Sequence, residues 1–225
     1  MPRGHKKAAT REETEQTRIT ILRTAEQLFM EYGYRAVSTR QIADACGLTQ
    51  PALYHHFADK QDLYVEVLKE NIAQTQAALE RIVRRNETLQ ERLQIVVRYL
   101  FKSTQYDHAL MMHDIQHELE PQTRLMLHEL FHRGLISPIA SVFEQGLHDG
   151  QLKAPQQGGM DAISASYLLM SMLSRFLVQS PPVYGAQVSA NGQEAAAALT
   201  GNAFFTDVGR AEAIVQILLH GLAVK

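Results

Sequence analysis

Cysteine is almost missing from this chain of 225 residues: Cys46 stands alone. No disulfide can form within the chain, and the composition fits a reducing cytoplasm, where the protein is expected to work. No apolar run approaches the ~18–20 residues needed to span a bilayer, so no membrane partner is expected. The basic N-terminus has no apolar stretch behind it, which reads against a secretion signal. Strand-type alternation, internal repeats and low-complexity tracts are lacking, and helical periodicity runs throughout. No nucleophile–base or acid–base motif stands out. An enzyme is therefore not expected, and no cofactor or metal is assigned.

What the chain does have is an apolar fraction of 45%, ample for a buried core, and enough length for two domains. Net charge is −2, but it is unevenly spread: residues 1–60 carry nine Lys/Arg against seven Asp/Glu, and residues 61–225 thirteen against seventeen. Arg3, Lys6, Lys7 and Arg11 open the chain without a single acid among the first eleven residues. Such a stretch is either a solvated basic tail or an arm that reaches phosphates or an adjacent groove.

Residues 39 to 57 read as a short helix, a glycine-centred turn and a second helix. Ile42, Ala43 and Cys46 give the first helix its apolar side, and Gly47 sits where the turn needs a residue tolerant of positive φ. Thr49 is placed to cap the second helix, and Pro51 falls in its first turn, where a missing N–H costs little. Two helices joined this way form a helix-turn-helix, which presents the start of its second helix to a major groove. Around it stand Ala25–Phe29, the Gly33–Ser38 turn and the Asp59–Tyr64 helix start. Gly33, Thr39, Ile42, Ala43, Gly47, Leu53, Tyr54, Phe57, Lys60 and Leu63 together make this segment, from residue 15 to about 70, resemble the N-terminal domain of the TetR family of bacterial transcriptional regulators.

The resemblance implies an all-α protein with a three-helix helix-turn-helix DNA-binding domain and a larger helical domain for ligand binding and dimerisation. We expect an arm at 1–14, the DNA-binding domain at 15–60 and the effector domain at 61–225. By the family pattern, Thr49, Gln50, Pro51 and Ala52 enter the groove, Tyr54 reaches a phosphate with His55 beside it, Thr39 and Arg40 begin the helix that crosses the backbone, and Lys60 binds a phosphate. Gln50 is the best base reader, since its amide can pair bidentately with adenine. Many family members have a basic residue and a glycine where Gln50 and Pro51 stand, so the motif is intact but the family pattern does not fix the operator sequence. Leu53 and Phe57 belong to the core of the head, Cys46 to its buried side, and His56 is either buried or solvated.

Downstream, apolar periodicity predicts helices from Asp59 to about Arg84, Glu87 to Gln105, over most of 107–149 and over 162–179 and Val208–Val224, with a loop at 180–206 that holds a turn at Glu194–Leu199. The last two helices are the most apolar, and the family pattern makes them a four-helix dimer seam through Leu169, Met172, Leu173, Phe176, Ile214, Ile217 and Leu218. A largely apolar small-molecule pocket is expected between helices, with Tyr99, Phe101, Met111, Met112, His113, His117, Phe131, Phe143, Tyr167 and Met170 as candidate lining. For most of these, core packing is the alternative. His113/His117 and His128/His132 have i, i+4 spacing, and Asp114, Glu118 and Glu129 lie close enough to complete a divalent-metal site.

The expected function is a dimeric repressor released from a palindromic operator by a small molecule. The alternative is a metal-dependent cytosolic enzyme or metal sensor built on the His-rich 108–132 segment. A constitutive DNA-bending protein is a further rival, but it would not need so large an apolar C-terminal half.

Overall fold

The computed structural model describes residues 10–103, 108–178 and 207–222. Arg3, Lys6 and Lys7 of the expected arm, the 180–206 loop with its Glu194–Leu199 turn, and the side chain of Phe176 lie outside them. Among the described residues the helices are α1 (Arg11–Tyr32), α2 (Thr39–Ala45), α3 (Gln50–Tyr54), α4 (Lys60–Val83), α5 (Leu89–Ser103), α6 (His108–Glu118), α7 (Pro121–Phe131), α8 (Ser137–His148), α9 (Ala162–Val178) and α10 (Asp207–Leu222).

Local chemistry sets most of these boundaries. α1 starts at Arg11, earlier than apolar periodicity suggests, because Thr10 and Glu13 form a reciprocal capping box. Its end is sealed by Gly33 N–H donating to the Phe29 carbonyl. Gly33 has φ 82 and ψ 160, outside the left-handed helical region, although its φ still favours glycine. Ser38 caps α2, with Gln41 closing the box. Asp59 Oδ1 accepts the Asp62 N–H at 2.8 Å, and Asp62 Oδ2 accepts the Ala58 N–H at 2.9 Å, which fixes the start of α4. Pro121 opens α7. Between α7 and α8 the chain stays helical through a π turn, His132–Ile136. Pro138 explains it: a proline cannot donate to the carbonyl four residues back and its ring crowds that group, so the helix widens locally.

The chain divides into two compact units, one of residues up to Asn71 with Ala109–Leu127, the other of Ile72–His108 with residues from His128 onward. In the first, Ile21, Ala25, Phe29, Ile42, Ala43, Leu53, Phe57 and Leu63 are buried. Each large side chain so buried contributes about 1.5–3 kcal/mol. Phe29, Tyr34 and Tyr64 stack together, the Phe29 and Tyr64 rings edge to face at 5.0 Å. Arg18 ties α1 to α4 through Glu66 at 2.8 Å, its guanidinium lying 5.3 Å from the Phe57 ring centre. In the second unit, α5 packs on α8, α9 and α10, and α8 on α9, around Leu93, Val96, Val97, Ile139, Val142, Phe143, Leu169, Ile214 and Val215.

Two outcomes test this packing. At Gly134 in the π turn a Cβ would stand 2.6 Å from Ile72 Cγ2, so Gly134→Ala should destabilise by about 1–3 kcal/mol through overpacking. Gly221→Ala, where a Cβ meets nothing within 4 Å, should hold or raise the melting temperature. A hydrogen bond from Lys69, with the Lys69 and Arg18 charges, holds the Glu66 carboxyl below its ordinary value of 4.5 despite partial burial. A depressed folded-state value stabilises above the unfolded one and is lost as pH falls through the folded one. Glu66→Gln should therefore cost about 0.5–1 kcal/mol at neutral pH, a gap that closes below the carboxylate range in thermal melts across pH.

Candidate nucleic-acid interface

The turn ahead of α3 is built by Gly47, whose φ of 67 reverses the chain, with Leu48 N–H donating back to the Ala43 carbonyl at 2.9 Å. Thr49 Oγ1 accepts the Ala52 N–H, and Pro51 sits in the first turn. Leu53 and Phe57 anchor the inner side in the core, as expected for both. What remains outward is Thr49, Gln50, Pro51, Tyr54 and His55, all exposed, with Ala52 half-buried among them. His56 is half-buried, and so is Cys46, which closes α2 and lines a shallow cleft with Glu13, Gln16, Thr17, Thr20 and Leu48 instead of lying inside the core.

Three of the expected contact residues meet one another. Gln50 Nε2 donates to Thr39 Oγ1 at 2.9 Å, and Thr39 Oγ1 lies 3.1 Å from the Tyr54 hydroxyl. Thr39 is itself buried at 8% exposure, so its hydroxyl serves its neighbours rather than solvent. Arg40 is exposed beside Asp44, 3.8 Å away, a separation at which the guanidinium remains available to a phosphate. Lys60 is held differently: its ammonium lies 4.2 Å from the Tyr34 ring centre, and partial burial lowers its pKa against the pull of Glu118 and Asp114. Burial, with nearby Asp59, Glu118 and Asp114, pushes the Tyr34 hydroxyl upward. Tyr64 is raised further, chiefly by burial.

α6 packs in the same unit as the head, which apolar periodicity could not foresee. Asp114, 3% exposed, accepts the Tyr34 N–H at 2.7 Å, and Glu118 pairs with Arg35 at 2.6 Å. Glu129 is taken by Arg133, also at 2.6 Å. The three carboxylates expected to complete a metal site thus have structural partners. Rings of His113 and His117 lie 4.4 Å apart and both side chains are exposed. Among the described residues no group of three His, Cys, Asp or Glu converges.

The expected pocket lining is divided between the two units. Phe101 and Phe143 are buried in the core of the second, and Tyr99, Phe131 and Met170 pack partly buried against it. Tyr167 faces outward, its ring 6.4 Å from that of His132. Met111, Met112, His113 and His117 belong to the first unit. Of the expected seam residues, Leu169, Leu173, Ile214 and Leu218 are buried in the core of their own chain, which leaves no surface of theirs for a partner, and Met172 is half-buried against it. Ile217 is open at 62%, and Tyr167 and Leu168 add apolar surface at 38% and 39%. No helix among the described residues is long and apolar enough to cross a membrane.

Residues 21–67, from within α1 into α4, match the model of "Bacterial regulatory proteins, tetR family". The repressor KstR2 of Mycobacterium tuberculosis is 30% identical over 135 residues, 59% of this chain and 68% of that protein. The activator FasR of Mycolicibacterium smegmatis is 28% identical over 106 residues, 47% of this chain, so the match spans about half (48%) of that relative. The regulator FadR of Bacillus subtilis, solved in complex with stearoyl-CoA, shares the fold at a TM-score of 0.66 and 18% identity, over 90% of this chain and 98% of that one. The helix-turn-helix geometry and the extent of the KstR2 match lead to one conclusion: this chain belongs to the TetR family of bacterial regulatory proteins.

Proposed function

We propose that the protein is a ligand-responsive repressor that binds a palindromic double-stranded operator as a homodimer. The observation that carries this reading is the exposed outer side of α3, where Gln50 and Pro51 at its start and Tyr54 at its end face solvent on a head whose inner side is packed. DNA recognition is assigned to residues 15–60, and effector binding and dimerisation to 61–225, with α6 and the start of α7 packing as part of the reading unit. Base reading falls to Gln50 with apolar contacts from Pro51 and Ala52. Phosphate contact falls to Tyr54, Arg40, His55 and the exposed start of α3 at Thr49. Lys60 joins them only by leaving the Tyr34 ring.

One head reads too few base pairs to find a site in a genome, and a twofold dimer doubles the information. Its seam is assigned to the open faces of α9 and α10 through Ile217, Tyr167 and Leu168, flanked by Met172. Repression is favoured over activation by KstR2, whose match is longer than that of FasR. The effector is assigned to the apolar class, and the stearoyl-CoA bound to B. subtilis FadR makes a long-chain acyl thioester the first molecule to try. The enzyme or metal-sensor alternative is weakened by the structural engagement of Asp114, Glu118 and Glu129. The relatives compared above are named as transcriptional regulators.

Selection from random duplexes should return a palindrome with half-sites one turn, roughly 34–36 Å, apart. Stearoyl-CoA should then weaken binding to it by about 5–150-fold. Binding that scales with salt and ignores sequence would overturn the repressor reading. In sedimentation, wild type should run at twice the chain mass. Ile217→Glu should shift it toward the monomer and weaken operator binding in parallel; an unchanged dimer would remove the seam from α10.

A further inference from the structure

We infer that Thr39 is a positioning residue that sets the base preference of Gln50 while orienting the phosphate contact of Tyr54. The inference rests on the DNA-binding reading above and goes beyond it, because it assigns a discrimination to a residue that touches no base.

The argument is a count of protons. The Thr39 hydroxyl has one hydrogen and two lone pairs. One lone pair receives an N–H from Gln50 Nε2 at 2.9 Å. The remaining neighbour, the Tyr54 hydroxyl at 3.1 Å, can take either role. A tyrosine that donates to a phosphate oxygen must keep its hydrogen for the phosphate, so Thr39 then donates to Tyr54. The chain runs in one direction: Gln50 N–H to Thr39, Thr39 O–H to Tyr54, Tyr54 O–H to the phosphate.

That direction restricts what Gln50 can offer a base. Its amide has two N–H donors and one carbonyl acceptor, and Thr39 occupies one donor. One donor and one acceptor remain, which match the N7 acceptor and N6 donor of adenine. Guanine presents two acceptors, N7 and O6, and a Gln50 so held can serve only one of them. Thr39 is 8% exposed, and its hydroxyl meets both Gln50 and Tyr54. Tyr54, exposed at 45%, is open to the backbone.

Removing the Thr39 hydroxyl frees the second N–H, and guanine becomes acceptable. Removing the Tyr54 hydroxyl lets Thr39 donate to the Gln50 carbonyl instead. The amide then turns its two donors outward, again toward guanine.

The test uses the full-length protein on synthetic duplexes of its selected operator. The base pair read by Gln50 is the one whose preference Gln50→Ala abolishes, and A and G variants are compared there. Wild type should favour adenine by roughly 5–150-fold, the range a bidentate contact provides. Thr39→Val should reduce that ratio to about 2-fold or less, with Thr39→Ser restoring it, and in a Gln50→Ala background Thr39→Val should change the A-to-G ratio no further. Thermal melts check that Thr39→Val is folded; should it not be, Tyr54→Phe on the exposed surface carries the test alone. Tyr54→Phe should weaken binding and also lower the adenine ratio. A Tyr54→Phe variant that weakens A and G sites equally, a Thr39→Val variant with the wild-type ratio, or a Gln50→Ala variant that alters no base preference would overturn the inference and leave the repressor reading standing. Wild type with no sequence preference at all would overturn both.

Discussion

The backbone conformation of Gly47 is the constraint on which the helix-turn-helix depends. Its φ of 67 turns the chain between α2 and α3, and a Cβ there would meet nothing within 4 Å. The demand is therefore conformational, not one of space: any other residue would be strained by the same angle. From that turn follow the Thr49 cap, the burial of Leu53 and the exposure of Gln50. The five residues of α3 are too few to form a helix alone. Its capping and its anchorage in the core hold it, and the direction of that anchorage decides which side chains face outward.

Three carboxylates hold distant segments of this chain together. Glu66 joins α1 to α4, Asp114 accepts the backbone N–H of Tyr34, and Glu118 meets Arg35. A carboxylate taken out of water needs such partners, and one that has them is poorly available to a metal. His113 and His117 remain on α6, and among the described residues no third ligand converges on either i, i+4 pair.

The two apolar C-terminal helices illustrate the difference between composition and packing. α9 carries apolar residues around its circumference, but its sides are not equivalent. Leu169 and Leu173 are enclosed by their own chain, whereas Tyr167 and Leu168 remain open, as does Ile217 on α10. Apolar surface left in water on two helices that pack against each other is what an association seam requires. Of the residues the family pattern places in a seam, Leu169, Leu173, Ile214 and Leu218 are covered by their own chain, and Ile217 is open.

Much of the fold was legible in the residues because its determinants are local. Glycine at a turn, Thr49 before a proline, Asp59 before Asp62 and helical apolar spacing act over a few positions and need no distant partner. The Thr10–Glu13 box is equally local, yet it escapes a reading led by apolar periodicity because its first turn is wholly polar. Other features depend on residues far apart in the chain. Nothing near Asp114 signals that it will accept the N–H of Tyr34, nothing near Lys60 that it will lie on an aromatic ring, and nothing near Leu169 that its own chain will cover it. The amino-acid order by itself determined, through short-range conformational preference, a helical chain with a helix-turn-helix whose second helix lies at residues 50–54; that the chain is a regulator came from its resemblance to a family. Tertiary structure alone decided which polar groups satisfy one another and which apolar faces stay open, because burial and hydrogen bonding are settled only when distant segments meet.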